Sequence, residues 1–200
     1  FKASTPNLVP VRTGLKAGII GEVGCSWPLS DNERKVLRAA GRAQRITGAP
    51  LLIHPGRDEN APLEILGILN SIGADLEHVI MGHLDRTVFQ KRILEEIAGS
   101  GCYIEWDLFG MEQSYYDSTI DMPSDAQRMV DIFWISSRGY GKKILVAHDI
   151  ANEARWAQNG GCGYHHILSN VVPRMREHGY TEEAINDILV ENPKNALVFA

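Results

Sequence analysis

Long apolar runs are missing from this 200-residue chain. The longest are strand-sized, whereas crossing a bilayer takes about 20 apolar residues in a row, so no transmembrane helix is expected. A basic excess is missing too: the formal net charge is -5 and the pI is near 5.8, which leaves no positive face for nucleic acid or an anionic membrane. Cysteine is scarce. Cys25, Cys102 and Cys162 are odd in number, far apart and outside any Cys-x-x-Cys pair, which argues against a disulfide scaffold and fits a reducing compartment, with a cytoplasmic location expected. The first residues lack the charged-then-apolar plan of a signal peptide. No tandem repeat, low-complexity tract or linker divides the chain. What remains is an ordinary globular composition, 44% apolar and 22% charged, and a small molecule is the expected partner.

Phe1 to Ala17 show no sustained period and are expected to be an irregular segment, so that residues 18–200 carry the fold. From Gly18 onward strand-like runs alternate with helix-length segments, the pattern of repeated β-α units on a parallel sheet. The runs are 18–24, 50–54, 78–83, 101–107 and 143–149. Between the first two, Ser30 and Glu33 have capping-box spacing and open a helix that Gly48 stops after Thr47. Further helices are expected from Ala61 to Ile72 with Pro62 in the first turn, from Thr87 to Ala98, and from Ser124 to Arg138. Leu108 to Pro123 reads as a long loop. After the fifth run, 151–163 reads as glycine-rich loop and 164–178 as helical around Pro173. A last helix opens at Thr181 and is expected to end at Asn192-Pro193.

Four of the runs bring a residue able to hold a metal or a proton to their C-terminal end: Glu22, His54, His83 and Asp149. In parallel β/α folds the reacting side chains sit at the C-terminal strand ends, where the βα loops gather. Neutral imidazoles give lone pairs to a divalent cation, while carboxylates offset its charge or bridge two, so this donor set suits zinc or a similar metal. Each residue alone has an ordinary alternative. A lone histidine at a strand end is more often a hydrogen-bonded polar residue than a ligand, Glu22 could line a pocket, and Asp149 could cap the next segment. Repetition at four equivalent positions is what favours ligation. His78, at a strand start, and His178, in a late helix, are expected to be structural. His148 alternates away from Asp149 and is expected to pack toward the helices, while His165 and His166 are left open.

Taken together, Ile19-Ile-Gly-Glu22-Val-Gly24, Leu52-Ile-His54-Pro-Gly-Arg57, Gly82-His83-Leu-Asp-Arg86 and Leu145-Val-Ala-His-Asp149 resemble the phosphotriesterase family of the amidohydrolase superfamily. The likeness continues through 102–110, 160–170 and 191–194, and is greatest to the phosphotriesterase-related branch, where a glutamate takes the bridging place. The resemblance implies an α/β fold, a partial TIM (β/α)8 barrel comprising strands 4 to 8 with their helices. It also implies a metal-dependent hydrolase with two divalent metal ions, zinc the expected element. By the same resemblance Glu22 bridges the two ions, His54 and His83 bind the more exposed one, and Asp149 binds the buried one and takes the proton of the bridging hydroxide. One departure stands out. The family's His-x-His pair on the first barrel strand has no counterpart in this sequence, so a chain that begins partway through the barrel is expected, with apolar edges exposed at its first and last strands.

Arg57 and Arg86 each follow a ligand histidine by three residues and are expected at the pocket mouth, where a guanidinium suits a carboxylate or sulfonate. The alternative for either is a salt bridge to a neighbour such as Asp58 or Asp85. Tyr164 and the 160–166 loop are expected to close over substrate, while Tyr103, Trp106 and Phe109 are expected to be core or pocket wall. These features favour a small anionic amide, and the resemblance implies N-acyl amino acids and N-acetyltaurine-like compounds. The alternatives are a lactonase, esterase or phosphotriester hydrolase, and, outside enzymes, an inactive or binding-only barrel fragment.

Overall fold

The five apolar runs become five parallel strands in the computed structural model, which describes residues 17–114 and 121–200. They are β1 (Ile20–Gly24), β2 (Leu51–His54), β3 (Val79–Met81), β4 (Tyr103–Trp106) and β5 (Ile144–Val146), hydrogen-bonded in sequence order. Helices α1 (Asp31–Thr47), α2 (Ala61–Ser71), α3 (Lys91–Gly99) and α4 (Asp125–Ile135) link consecutive strands, and α5 (Val172–Glu177), α6 (Glu182–Asn186) and α7 (Asn192–Ala196) follow β5. The irregular segment expected over 1–17 lies, apart from Ala17, outside the described residues, as does part of the 108–123 loop.

Side-chain alternation along the strands decides which way the sheet is wrapped. Leu51, Ile53, Val79, Met81, Ile104, Trp106 and Ile144 pack in the main core with Leu37 of α1, Ile65 of α2, Ile97 of α3 and Ile132 of α4. The intervening Ile80, Tyr103 and Leu145 face the other way and join Ala196 in a small separate cluster. Helices α1 to α4 therefore all cover one face, as in a β/α barrel and not as in a doubly wound sheet. The strands end earlier than the apolar runs do, but pairing continues beyond them, with Gly82 N–H donating to Ile53 O at 3.0 Å and Ala147 N–H to Trp106 O at 3.0 Å.

α1 follows its local signals. Ser30 Oγ accepts from Glu33 N–H, Glu33 Oε2 accepts from Ser30 N–H at 2.7 Å, and Gly48 closes the helix at φ 69°. α3 does not follow them, starting at Lys91 instead of Thr87. Leu84–Arg86 forms a 3-10 turn first, and Glu59 Oε1 accepts from the N–H groups of Phe89 and Gln90 at 2.6 and 2.7 Å. That contact comes from about 30 residues away, beyond the reach of any local pattern. The expected stop at Asn192-Pro193 is also corrected. A wide turn over Asp187–Glu191, in which Asn192 N–H donates to Asp187 O five residues back, carries the chain into α7. Proline lacks an N–H and crowds the carbonyl four residues earlier, and a widened turn relieves both problems. Asn192 is buried there, its Nδ2 donating to Gly141 O and Ile144 O at 2.8 and 2.9 Å. A matching wide turn, Ile167–Val171, precedes Pro173. Among the described residues no helix is long and apolar enough to cross a membrane.

Candidate metal centre

Three neighbouring strands bring Glu22, His54 and His83 to one point at the C-terminal end of the sheet. β1 does so through a bulge: Ile20 pairs with Leu51 and Val23 with Ile53, so three residues on β1 span two on β2. Gly21 makes the bulge, with φ 128° and no room for a side chain, since a Cβ there would sit 2.5 Å from Leu52 O. Glu22 is re-aimed as a result. Its Oε1 lies 3.3 Å from His54 Nδ1 and 2.9 Å from His83 Nε2, and the two ring nitrogens are 2.8 Å apart. All three ligand atoms fall within 4.8 Å of one another. A divalent cation suits such a donor set, one carboxylate oxygen and two imidazole nitrogens.

His83 is held from behind. At φ 54° it leaves the strand in the left-handed region, which a non-glycine residue adopts when its surroundings fix it there. Asp107, just past β4, supplies that fixation: its Oδ2 accepts from His83 N–H at 2.9 Å and its Oδ1 from His83 Nδ1–H at 2.7 Å. A carboxylate can only accept, so the Nδ1 proton is committed to Asp107 and the Nε2 lone pair is directed at the cluster, the tautomer a ligand needs. Sequence reasoning placed Asp107 at a strand end but gave it no role, because its partner is 24 residues away.

Without a cation the cluster carries strong internal charge pairing. Hydrogen bonds from His54 and His83 hold the Glu22 carboxyl far below the usual carboxylate range, against the opposing effect of burial. For His83, burial disfavours the charged ring, but the hydrogen bonds to Asp107 and Glu22 outweigh it and push the pKa up to about 10. An unfolded histidine titrates near 6.5, so this contribution is complete below about pH 6.5 and is lost as pH rises toward 10. Urea denaturation of the metal-stripped chain is therefore expected to give a falling midpoint between pH 6.5 and 9.5, and His83→Gln is expected to flatten that fall. Parallel profiles for the two proteins would contradict it.

The other expected site residues lie differently. Asp149 is outside the cluster; its Oδ2 accepts from Arg155 Nη1 at 2.9 Å. Arg86 does not stand at an open mouth but is buried, with Nη2 3.0 Å from His54 Nε2, while Arg57 is exposed. Tyr164 is 70% exposed. His148 Nε2 accepts from Ile167 N–H at 3.0 Å, turned toward the segment after β5, and His78 pairs with Asp75. A cavity of about 640 Å³ opens beside Asp149, lined by Phe109, Glu112, His148, Asn152, Arg155 and Cys162 among others.

Behind that cavity runs a network no local pattern indicated. Arg128, on α4, donates to Asp85 Oδ2 at 2.7 Å, Asp125 Oδ1 at 2.8 Å and Met111 O at 2.7 Å. Asp85 also accepts from Leu108 N–H, and Asp125 from Gly110 N–H and His166 Nε2. Asp85, offered by sequence as a partner for Arg86, thus belongs to Arg128.

With this geometry in view, comparison with known proteins is direct. The sequence model of the phosphotriesterase family matches residues 11–197. A phosphotriesterase-related protein of Nematostella vectensis is 51% identical over 189 residues, 94% of this chain and 54% of the relative. An N-acetyltaurine hydrolase of Dictyostelium discoideum is 52% identical over 187 residues, 92% of this chain and 50% of the relative. The crystal structure of a resiniferatoxin-binding protein from Rhodobacter sphaeroides superposes with a TM-score of 0.88 at 31% identity, covering 94% of this chain and 52% of that one. The chain spans about half the length of the curated relatives it matches.

Proposed function

The chain belongs to the phosphotriesterase family, and from that premise we propose that it carries the Glu22, His54, His83 and Asp149 ligands of a zinc-dependent hydrolase of small anionic amides, of the N-acyl amino acid or N-acetyltaurine type. Residues 18–200 would be the C-terminal portion of its barrel. The observation that carries the proposal is the convergence of Glu22 Oε1, His54 Nδ1 and His83 Nε2 within 4.8 Å at the C-terminal end of the sheet. The name N-acetyltaurine hydrolase, borne by relatives about half identical to this chain, supports the substrate class.

When bound, divalent cations supply an activated water nucleophile and positive charge for the acyl oxygen. The chain's residues do the rest. Glu22, its carboxyl held far below the usual carboxylate range, would offset cationic charge and is placed to bridge, and His54 and His83 would hold a cation beside it. Asp107 keeps the His83 ring in its ligating tautomer. Asp149 would hold a second ion and, as the base, would accept the proton of the attacking water and deliver it to the departing amine nitrogen, so that a C–O bond forms as the amide C–N bond breaks and a carboxylic acid and an amine result. The three free cysteines, two of them buried, suit the reducing cytoplasm.

Assaying the zinc-loaded protein against N-acetyltaurine, a lactone and paraoxon tests this. N-acetyltaurine is expected to be cleaved, with activity lost to a chelator and lost again in Asp149→Asn while near-UV circular dichroism stays native. Cleavage of paraoxon or the lactone alone would overturn the substrate assignment, and a chelator-insensitive rate would overturn the metal-dependent one.

A further inference from the structure

The geometry points to Arg155 as the positioning residue that fixes the Asp149 carboxylate, and to the glycine loop at 160–163 as the brace that holds Arg155; this rests on the role given to Asp149 above. Asp149 sits three residues past β5 at φ 46°, in the left-handed region that L-residues seldom adopt, aspartate more readily than most. Arg155 Nη1 holds it there. It donates both to the backbone carbonyl of Asp149 and, at 2.9 Å, to its Oδ2, so one nitrogen fixes the residue's main chain and its carboxylate together. Both bonds leave Oδ1 unengaged by Arg155, as a ligand that must also face a cation requires.

Arg155 is itself tightly placed. Its N–H donates to Asn152 O at 3.2 Å and its carbonyl accepts from Gly163 N–H at 3.0 Å. Gly161 passes so close that a Cβ on it would lie 2.3 Å from Arg155 O, and Gly161 N–H donates to Trp156 O at 3.0 Å. Backbone-to-backbone contacts of this kind admit no side chain and leave Arg155 little freedom. A chain of contacts therefore runs from the 160–163 loop through Arg155 to Asp149. The 160–163 part of that loop supports Arg155 on this side. Arg155 also lines the cavity beside Asp149, with His148 and Glu112. Because Asp149 already neutralises its guanidinium, Arg155 is assigned to orienting that carboxylate and not to anchoring a substrate anion.

Arg155→Met, Arg155→Lys and Gly161→Ala in the zinc-loaded protein test this, with zinc affinity measured by chelator competition alongside kcat and KM for the amide. Arg155→Met is expected to weaken the zinc-binding step that Asp149→Asn also weakens, by about 10- to 100-fold, as loss of an outer-shell partner does. It is expected to lower kcat by a similar factor with KM within about threefold. Lysine, a point charge without the planar fork, should restore part of the loss. Gly161→Ala, which displaces the Arg155 backbone without touching its charge, should shift both readouts the same way. Unchanged zinc affinity with kcat within about twofold would overturn the assignment, and so would a tenfold rise in KM at constant kcat, the signature of a substrate anchor. If the wild type cleaves no amide, the substrate proposal has failed, while the zinc comparison still decides the role of Arg155. If Arg155→Met does not fold, Arg155→Lys and Gly161→Ala carry the comparison.

Discussion

Glu22→Gln is expected to lower kcat/KM for the amide by about 10³-fold, and to lower the melting temperature of the zinc-free protein as well, because the charge pairing with His54 and His83 is lost. The substitution keeps the shape of the side chain and removes its charge. Among the described residues Glu22 is the only carboxylate in the cluster, and hydrogen bonds from the two histidines hold its carboxyl far below the usual carboxylate range. In the proposed two-ion site, the cations would repel one another across a neutral amide that shares no negative charge with them, and both zinc affinity and nucleophile activation would suffer. Stabilisation of transition-state charge by a metal site amounts to several kcal/mol, and about 4 kcal/mol corresponds to roughly 10³ in rate. Steady-state kinetics with zinc in excess, beside zinc stoichiometry after dialysis, would check it. A variant that keeps its zinc and loses less than about tenfold would remove Glu22 from the bridging role.

How much of this could be read from the residues depends on how far apart the interacting groups are in sequence. The strands were legible because their apolar runs are short and bounded, and α1 because Ser30, Glu33 and Gly48 are all local signals. The convergence of Glu22, His54 and His83 was legible for the same reason: each lies at the C-terminal end of a run, and parallel strands in sequence order bring equivalent ends together. What failed was non-local. Glu59 delays the start of α3, Asn192 ties α7 to the sheet, and Asp107 backs His83, each through a partner 24 to 48 residues away. Arg86 misled for a related reason. Three residues past His83 looked like a pocket mouth, but the left-handed turn at His83 sends the following 3-10 turn inward, and Arg86 is buried against His54. Arg155 carries no sequence signal, because its importance lies in reaching back six residues to a backbone whose left-handed turn no composition reveals.

Arg128→Met is expected to destabilise the protein by about 3–5 kcal/mol, the cost of leaving buried carboxylates without their cation. The Arg128 side chain is wholly buried, as is that of Asp85, and Asp125 is nearly so. Methionine fills much the same volume, so the loss comes from charge and hydrogen bonding more than from a cavity. Burial already pushes the Asp85 carboxyl upward, with Asp107 adding to it and Arg128 opposing. Without the guanidinium the acid takes up a proton, which limits the loss without restoring the bonds to Asp125 and Met111 O. At this chain length each kcal/mol shifts the melting temperature by about 2–4 °C, so a fall of roughly 10 °C is expected. Adding Asp85→Asn and Asp125→Asn should recover part of it by removing the stranded charges. A single variant within about 1 kcal/mol of wild type would mean that the network is not the strut it resembles. Function should follow stability here, because Asp85 fixes Leu108 N–H immediately after Asp107, the residue that sets the His83 ring. Loosening that joint is expected to weaken zinc binding even in the fraction that remains folded.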